Sequence, residues 1–257
     1  MTDRPGGRAR ADYKRLLVEA YDLDKPEAPA DELAFYRRHI DECGPPVLEV
    51  MSGSGRLLVP LLEAGIDIDG VDASEDMLDA CRRKCAERGL HPALDHQTLD
   101  RLELPRRYGL VFCGGGSFGL IIHDDEVRKS LDRLFDYLLP GATLLLEVET
   151  PAARLRTRGW EGRWWRRPDG GLIVERANNR YDKASKVESG LGIYELFNDG
   201  VLVETELNEW VRRFWEPNVL RGMLGEAGFT NIEATKAYSS LPLDGDETMV
   251  SIRASRS

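Results

Sequence analysis

Two acids and two glycines are the residues whose types and spacing could do chemistry. Glu49 lies in the run Leu48-Glu49-Val50-Met51-Ser52-Gly53-Ser54-Gly55-Arg56, and Asp72 in the later Gly70-Val71-Asp72-Ala73-Ser74. Glycine at 53 and 55 lets the backbone approach a ligand that a Cβ would hold off. Asp72 follows the glycines by about 20 residues, the spacing at which an acid ending a second strand accepts hydrogen bonds from ribose hydroxyls. Strand, glycine turn, helix, strand and acid together make a unit that binds an adenosine-containing cofactor.

The dinucleotide form of the turn, G-x-G-x-x-G/A, needs a third small residue for helix–strand packing. Leu58 occupies that position, which argues against a pyrophosphate on the helix N-terminus. Glu49 instead offers a carboxylate to a cationic amino-acid moiety. Such an acid pair suits S-adenosylmethionine (SAM), which carries an ammonium, a sulfonium and a ribose but no phosphate. The segment resembles motif I of class I SAM-dependent methyltransferases, with Asp72 as the ribose acid of motif II. The common family form is E-x-G-x-G-x-G. Met51 and Ser52 stand where that form often has Gly and a small residue or Cys.

Ligands of an open α/β sheet bind beyond the carboxyl ends of its strands. That rule selects Glu49, Met51, Gly53, Ser54 and Gly55 after the first strand, and Asp72, Ala73 and Met77 after the second. The resemblance implies that Thr98 and Leu99 hold the adenine, with Asp100 the acid beside them. The fourth strand ends in Cys113-Gly114-Gly115-Gly116-Ser117-Phe118-Gly119, whose glycines again permit close backbone approach. The resemblance implies that this loop, through Cys113, Gly114, Gly115 and Ser117, lines the methionine part of SAM and the transfer site. It carries neither an Asn/Asp-Pro-Pro-Tyr/Phe motif nor a Pro-Cys pair, which argues against adenine-N6 and cytosine-C5 methylation.

His123, just beyond this loop, is the candidate catalytic base, able to take a proton near neutral pH; a structural histidine is the alternative. Candidate substrate contacts are Tyr13, Tyr21, Phe118, Glu149 and Trp164. Glu147 and Glu149 lie two apart on a strand and face the same side, where a salt bridge within the fold is the competing assignment. The resemblance implies that Tyr13 and Tyr21 close over SAM; each also reads as a packing residue. Trp164, with Trp165, Arg166, Trp210, Arg213 and Trp215, either frames an organic acceptor or forms the core of a small sheet.

The elements that must position these residues follow from periodicity and punctuation. Helices are expected at 11–19 and 31–42, with a loop at 21–26 between them. Strands are expected at 47–50, 66–71, 91–94, 108–112 and 142–148, alternating with helices at 56–64, 74–88 and 125–139. Ser74 is the expected N-cap of its helix, with Glu75 and Asp76 in the first turn. This alternation predicts a doubly wound, Rossmann-like α/β sheet. The resemblance implies seven strands with the last antiparallel. Residues 151–216 carry all five tryptophans and read as antiparallel strands at 171–176, 192–196 and 201–207. A helix at 217–228 and strands at 232–237 and 248–254 complete the sheet. The expected organisation is a helical cover over 1–44, a SAM-binding core over 45–150, an inserted antiparallel β cap over 151–216 and completion of the core over 217–257.

Composition narrows the function. Of 257 residues, 42% are hydrophobic and 31% charged, the balance of a globular chain with a core. A net charge of −10 provides no basic field for nucleic acid. No apolar run approaches the ~18 residues of a membrane span, and 1–10 is polar, unlike a secretory leader. Cys43, Cys81, Cys85 and Cys113 lack the spacing of a metal site and read as reduced, buried thiols, so no metal is expected. A cytoplasmic setting follows, with a small-molecule acceptor as partner and a homodimer left open. The resemblance is to small-molecule enzymes, including amino-sugar and glycine/sarcosine N-methyltransferases. It implies direct displacement at the SAM methyl carbon onto an N or O atom, leaving S-adenosylhomocysteine. The alternatives are a SAM-binding protein without activity and a nicotinamide-dependent oxidoreductase, the latter disfavoured by Leu58 and Glu49.

Overall fold

The computed structural model describes residues 13–154 and 160–257. Seven strands form one sheet: β1 (Val47–Val50), β2 (Ile68–Asp72), β3 (Leu94–His96), β4 (Tyr108–Cys113), β5 (Leu138–Glu149), β10 (Phe229–Lys236) and β11 (Met249–Arg256). Their order across the sheet is β10-β11-β5-β4-β1-β2-β3. Strand β1 pairs in parallel with β2 and β4, and β4 with β5, while β11 runs antiparallel to both of its neighbours. This is the expected doubly wound sheet with an antiparallel last strand. Strands β1 and β4 are buried along their whole length, as central strands covered on both faces must be.

One face is covered by α5 (Asp124–Tyr137) and α6 (Pro217–Glu226), which bury Leu131, Leu134, Leu220 and Leu224 against the strands. The other is covered by α2 (Ala30–Cys43), α3 (Leu58–Glu63) and α4 (Glu75–Glu87), through Tyr36, Leu61 and Cys81. Ser74 caps α4 as expected, its hydroxyl accepting the Met77 N–H at 3.3 Å. Among the described residues, no helix is long and apolar enough to cross a membrane.

A second, antiparallel sheet stands apart from the first. Its strands are β6 (Trp160–Arg166), β7 (Leu172–Asp182), β8 (Val187–Asn198) and β9 (Val201–Arg213), paired in that order. They run longer than expected, and β6 was not expected at all because its residues do not alternate in polarity. The tryptophans of residues 151–216 do not form a common core. Trp160 and Trp164 are 56% and 65% exposed, and Trp215 is fully buried in the core of the large sheet.

The first helix is also displaced from its expected place. The expected start at Ala11 lies outside the described residues; α1 spans Arg15–Asp24, so most of the expected 21–26 loop is helical. Tertiary contact sets this boundary. Leu16, Leu17 and Ala20 pack on Ile173, Tyr194 and Leu196 of the small sheet and on Met77 and Ala80 of α4. Lys14 at the N-cap does not cap the helix with its side chain. Instead the Glu206 carboxylate of β9 accepts the Leu16 and Leu17 N–H groups at 3.0 and 3.2 Å. A helix leaves its first amides unpaired, and an acid there also complements the dipole.

Candidate active site

A crevice opens at the carboxyl ends of β1, β2 and β4, beneath α1. Of the residues expected to hold a cofactor, Glu49, Met51, Gly53, Asp72, Ala73, Met77, Thr98, Leu99, Gly114, Gly115 and Ser117 line it. Tyr13, Tyr21 and His123 line it as well. Residues from five separate stretches of chain thus meet in one wall.

The turn after β1 sets the near side. Gly53 has φ +56°, and its N–H donates to Asp72 Oδ2 at 2.7 Å. The other Asp72 oxygen accepts the Ser74 N–H at 2.8 Å. Two backbone amides therefore fix the carboxylate at the end of β2. Burial raises its pKa, while these hydrogen bonds act in the opposite direction. Met51, at the family's glycine position, has φ +56°, which explains the usual glycine: a Cβ is strained in the left-handed region.

Glu49 is 4% exposed and its Oε2 has no hydrogen-bond partner. Burial pushes its carboxyl up to about 8, partly offset by the Arg56 guanidinium. A buried, unpartnered acceptor in the wall is what the ammonium of SAM would satisfy. With the amide-fixed Asp72 carboxylate nearby for a ribose, the residues present fit SAM.

Several expected residues do other work. Gly55, φ +82°, is required by packing: a Cβ there would lie 2.6 Å from Cys81 Sγ. Ser54 is 1% exposed and donates to Asp22 Oδ1 at 2.5 Å, and Lys84 joins both, so this pair pins α1 to the turn. Cys113 and Phe118 do not reach the crevice, being fully buried in the core, where Phe118 packs on Trp215 with ring centroids 6.0 Å apart. Trp164 projects from the small sheet on the face away from Trp165, the neighbour that packs with α1, because adjacent strand residues point oppositely. Glu149 pairs with Arg212 of β9 at 2.8 Å, the salt-bridge alternative. His123 is exposed at the rim, at the N-cap of α5, where its side chain caps no amide.

Other wall residues were not singled out from the sequence. Arg56 lines the crevice and is held by Glu32 of α2 through two bonds at 2.5 and 2.6 Å. Its place directly after the glycine turn was the available signal; the partner on α2 left none. Lys25, Ser52, Gln97 and Glu126 also line the wall. Tyr13, half-buried, has its phenol pushed up to about 12 by desolvation, with Tyr21 and Asp72 adding to the rise and Arg212 opposing it.

Comparison with known proteins finds likeness to methyltransferases. Residues 47–141 match the family model described as "Methyltransferase domain". A dTDP-3-amino-3,6-dideoxy-alpha-D-glucopyranose N,N-dimethyltransferase of Streptomyces fradiae is 30% identical over 145 residues, covering 54% of this chain and 55% of that protein. A glycine/sarcosine N-methyltransferase of Halorhodospira halochloris is 31% identical over 142 residues, 53% of each. The chain thus spans about half the length of the curated relatives it matches. A SAM-dependent methyltransferase structure from Clostridium acetobutylicum superposes with a TM-score of 0.77 at 17% identity, covering 92% of this chain and 96% of that one. A sugar N-methyltransferase structure from Streptoalloteichus gives 0.76 at 17% identity, covering 100% and 97%. These two establish the fold, small sheet included.

Proposed function

We propose that this chain, whose residues 47–141 match a methyltransferase domain, transfers a methyl group from SAM to a nitrogen or oxygen of a small-molecule acceptor. The observation that carries the reading is the pairing, in one crevice, of an unpartnered buried Glu49 oxygen with an Asp72 carboxylate fixed by two amides. The four expected regions, cover, core, cap and completion, are retained in this reading, with α1 reaching from the cover to both sheets.

SAM supplies a methyl carbon already attached to a good leaving group, so the chain's task is to align reactants and exclude water. Glu49 accepts from the ammonium, Asp72 from the ribose, and Thr98 and Leu99 stand beside the adenine. Tyr13 and Tyr21, carried by or next to α1, roof the crevice. His123 at the rim takes the proton if the acceptor enters protonated. The relatives named above act on nitrogen, of an amino sugar and of glycine or sarcosine by their names, which supports an amine here. Tyr13, Tyr21 and Lys25 at α1 cover the crevice, which suits a small acceptor over a polymer.

The test is calorimetric titration with SAM and with NADH, followed by turnover of SAM to S-adenosylhomocysteine with a panel of small amines and hydroxyl compounds. Micromolar SAM binding without NADH binding, and turnover with an amine, are expected. SAM binding without turnover on any acceptor would favour a non-catalytic binder; no SAM binding would end the reading.

A further inference from the structure

Glu147 is absent from the crevice wall, yet it lies directly behind it. The residue is 0% exposed on β5. Its Oε2 accepts the Gly115 N–H at 2.9 Å. Gly115 and Gly116 are consecutive left-handed residues, φ +64° and +75°. Such a turn is held only by what its backbone groups bond to, and glycine gives it no side-chain support. Tyr36 of α2 backs the preceding residue, its hydroxyl 3.0 Å from where a Gly114 Cβ would be. Gly114, Gly115 and Ser117 line the crevice, so the buried side of this turn meets Glu147 and the open side meets the ligand space.

The groups facing Glu147 are Tyr36 and Glu32 of α2, Cys113 of β4 and Tyr238 in the connection after β10. None is a cation. Burial pushes the carboxyl up to about 7, and the Gly115 amide pulls the other way. Packing alone would favour an apolar side chain at such a position.

We propose, resting on the SAM reading above, that Glu147 is a positioning residue for methyl transfer. Its carboxylate fixes the Gly114–Ser117 turn from behind, so cofactor affinity depends on a side chain that touches neither cofactor nor acceptor.

The test begins with the ligand-free protein. Amide hydrogen exchange of the 113–120 segment is compared for wild type, Glu147→Gln and Glu147→Leu between pH 5.5 and 8.5, corrected for intrinsic exchange. Leucine removes the acceptor; exchange in that segment should quicken on the order of 10-fold or more, the scale of a lost hydrogen bond to a charged group. Glutamine keeps an acceptor oxygen; protection should stay near wild type but lose the wild type's rise through about pH 7. SAM affinity should fall ~10-fold in the leucine variant and within ~3-fold in the glutamine variant. Unchanged exchange in Glu147→Leu, or the same pH step in Glu147→Gln, overturns the proposal. Should the leucine variant fail to fold, the glutamine pH profile still decides. A wild type that binds no SAM defeats the functional reading, while the exchange data judge the turn independently.

Discussion

Replacing Glu49 with glutamine should make the protein more stable and a poorer binder at once. The wild-type carboxyl is wholly buried and its folded pKa stands at about 8, against an ordinary value of 4.5. Between those pH values the folded chain holds a proton that the unfolded chain has released. Stability therefore falls as pH rises through that window, by about 1.4 kcal/mol per unit. Across the whole window the loss is on the order of 4 kcal/mol, an upper figure because local relaxation would reduce it. The amide of the Glu49→Gln variant does not titrate, so it escapes the loss while keeping an oxygen and nearly the same volume. At pH 8 the variant's melting temperature should exceed wild type by up to roughly 16 °C, converting at about 2–4 °C per kcal/mol for a chain of this size. At pH 4.5 the two should melt together. SAM affinity should fall about 10- to 100-fold, the scale of a lost charge-assisted hydrogen bond. Calorimetric melting across pH and SAM titration at pH 8 supply both readouts. Equal melting at pH 8, or undiminished SAM affinity, would refute the reasoning; a misplaced or merely structural glutamate cannot produce the opposed pair.

Three further outcomes are expected. Asp72→Asn should weaken SAM binding by about 1–3 kcal/mol, since an amide accepts less strongly from hydroxyls and from the Gly53 and Ser74 amides; calorimetric titration checks it. Arg56→Met should destabilise by about 3–5 kcal/mol, because Glu32, 2% exposed, would be left charged and unpaired in the core. Denaturant unfolding reads that loss, and Glu32→Gln with Arg56→Met should recover part of it. His123→Ala should lower turnover while SAM affinity stays within ~2-fold, as fits an exposed rim residue that could move a proton; full activity would leave His123 a helix-start residue only.

The core was legible because its signals are local. Glycine and proline punctuation, the Ser74 cap and the run of apolar strands each act within a few residues, and the acids at the ends of β1 and β2 inherit their places from those strands. What stayed hidden depends on distant partners. Helix α1 extends to Asp24 because β9 caps it and β7 and β8 cover its apolar face, none of which the first 25 residues reveal. Gly55 has the same sequence signature as Gly53, but Cys81 determines its role. Trp160 and Trp164 carry the side chains of a core and lie on an exposed face, while Trp215, beyond the small sheet, fills the large one. Glu149 and Glu147 differ in fate because Arg212 arrives beside one, and the Gly115 amide with Tyr36 and Tyr238 beside the other.

The shared grip on α1 bears on how this chain could be recombined with a relative. Glu206 holds the start of that helix from the small sheet, while Ser54 and Lys84 hold Asp22 near its end from the large one. A chimera that transplants only residues 160–213 from a relative would lose the acid that caps the start of α1 and the apolar bed it rests on. The helix must travel with the graft, and with it Tyr21 over the crevice. Exchanging the small sheet is therefore bound to disturb the crevice beneath α1, and successful hybrids would be cut after Asp24 as well as around the inserted strands.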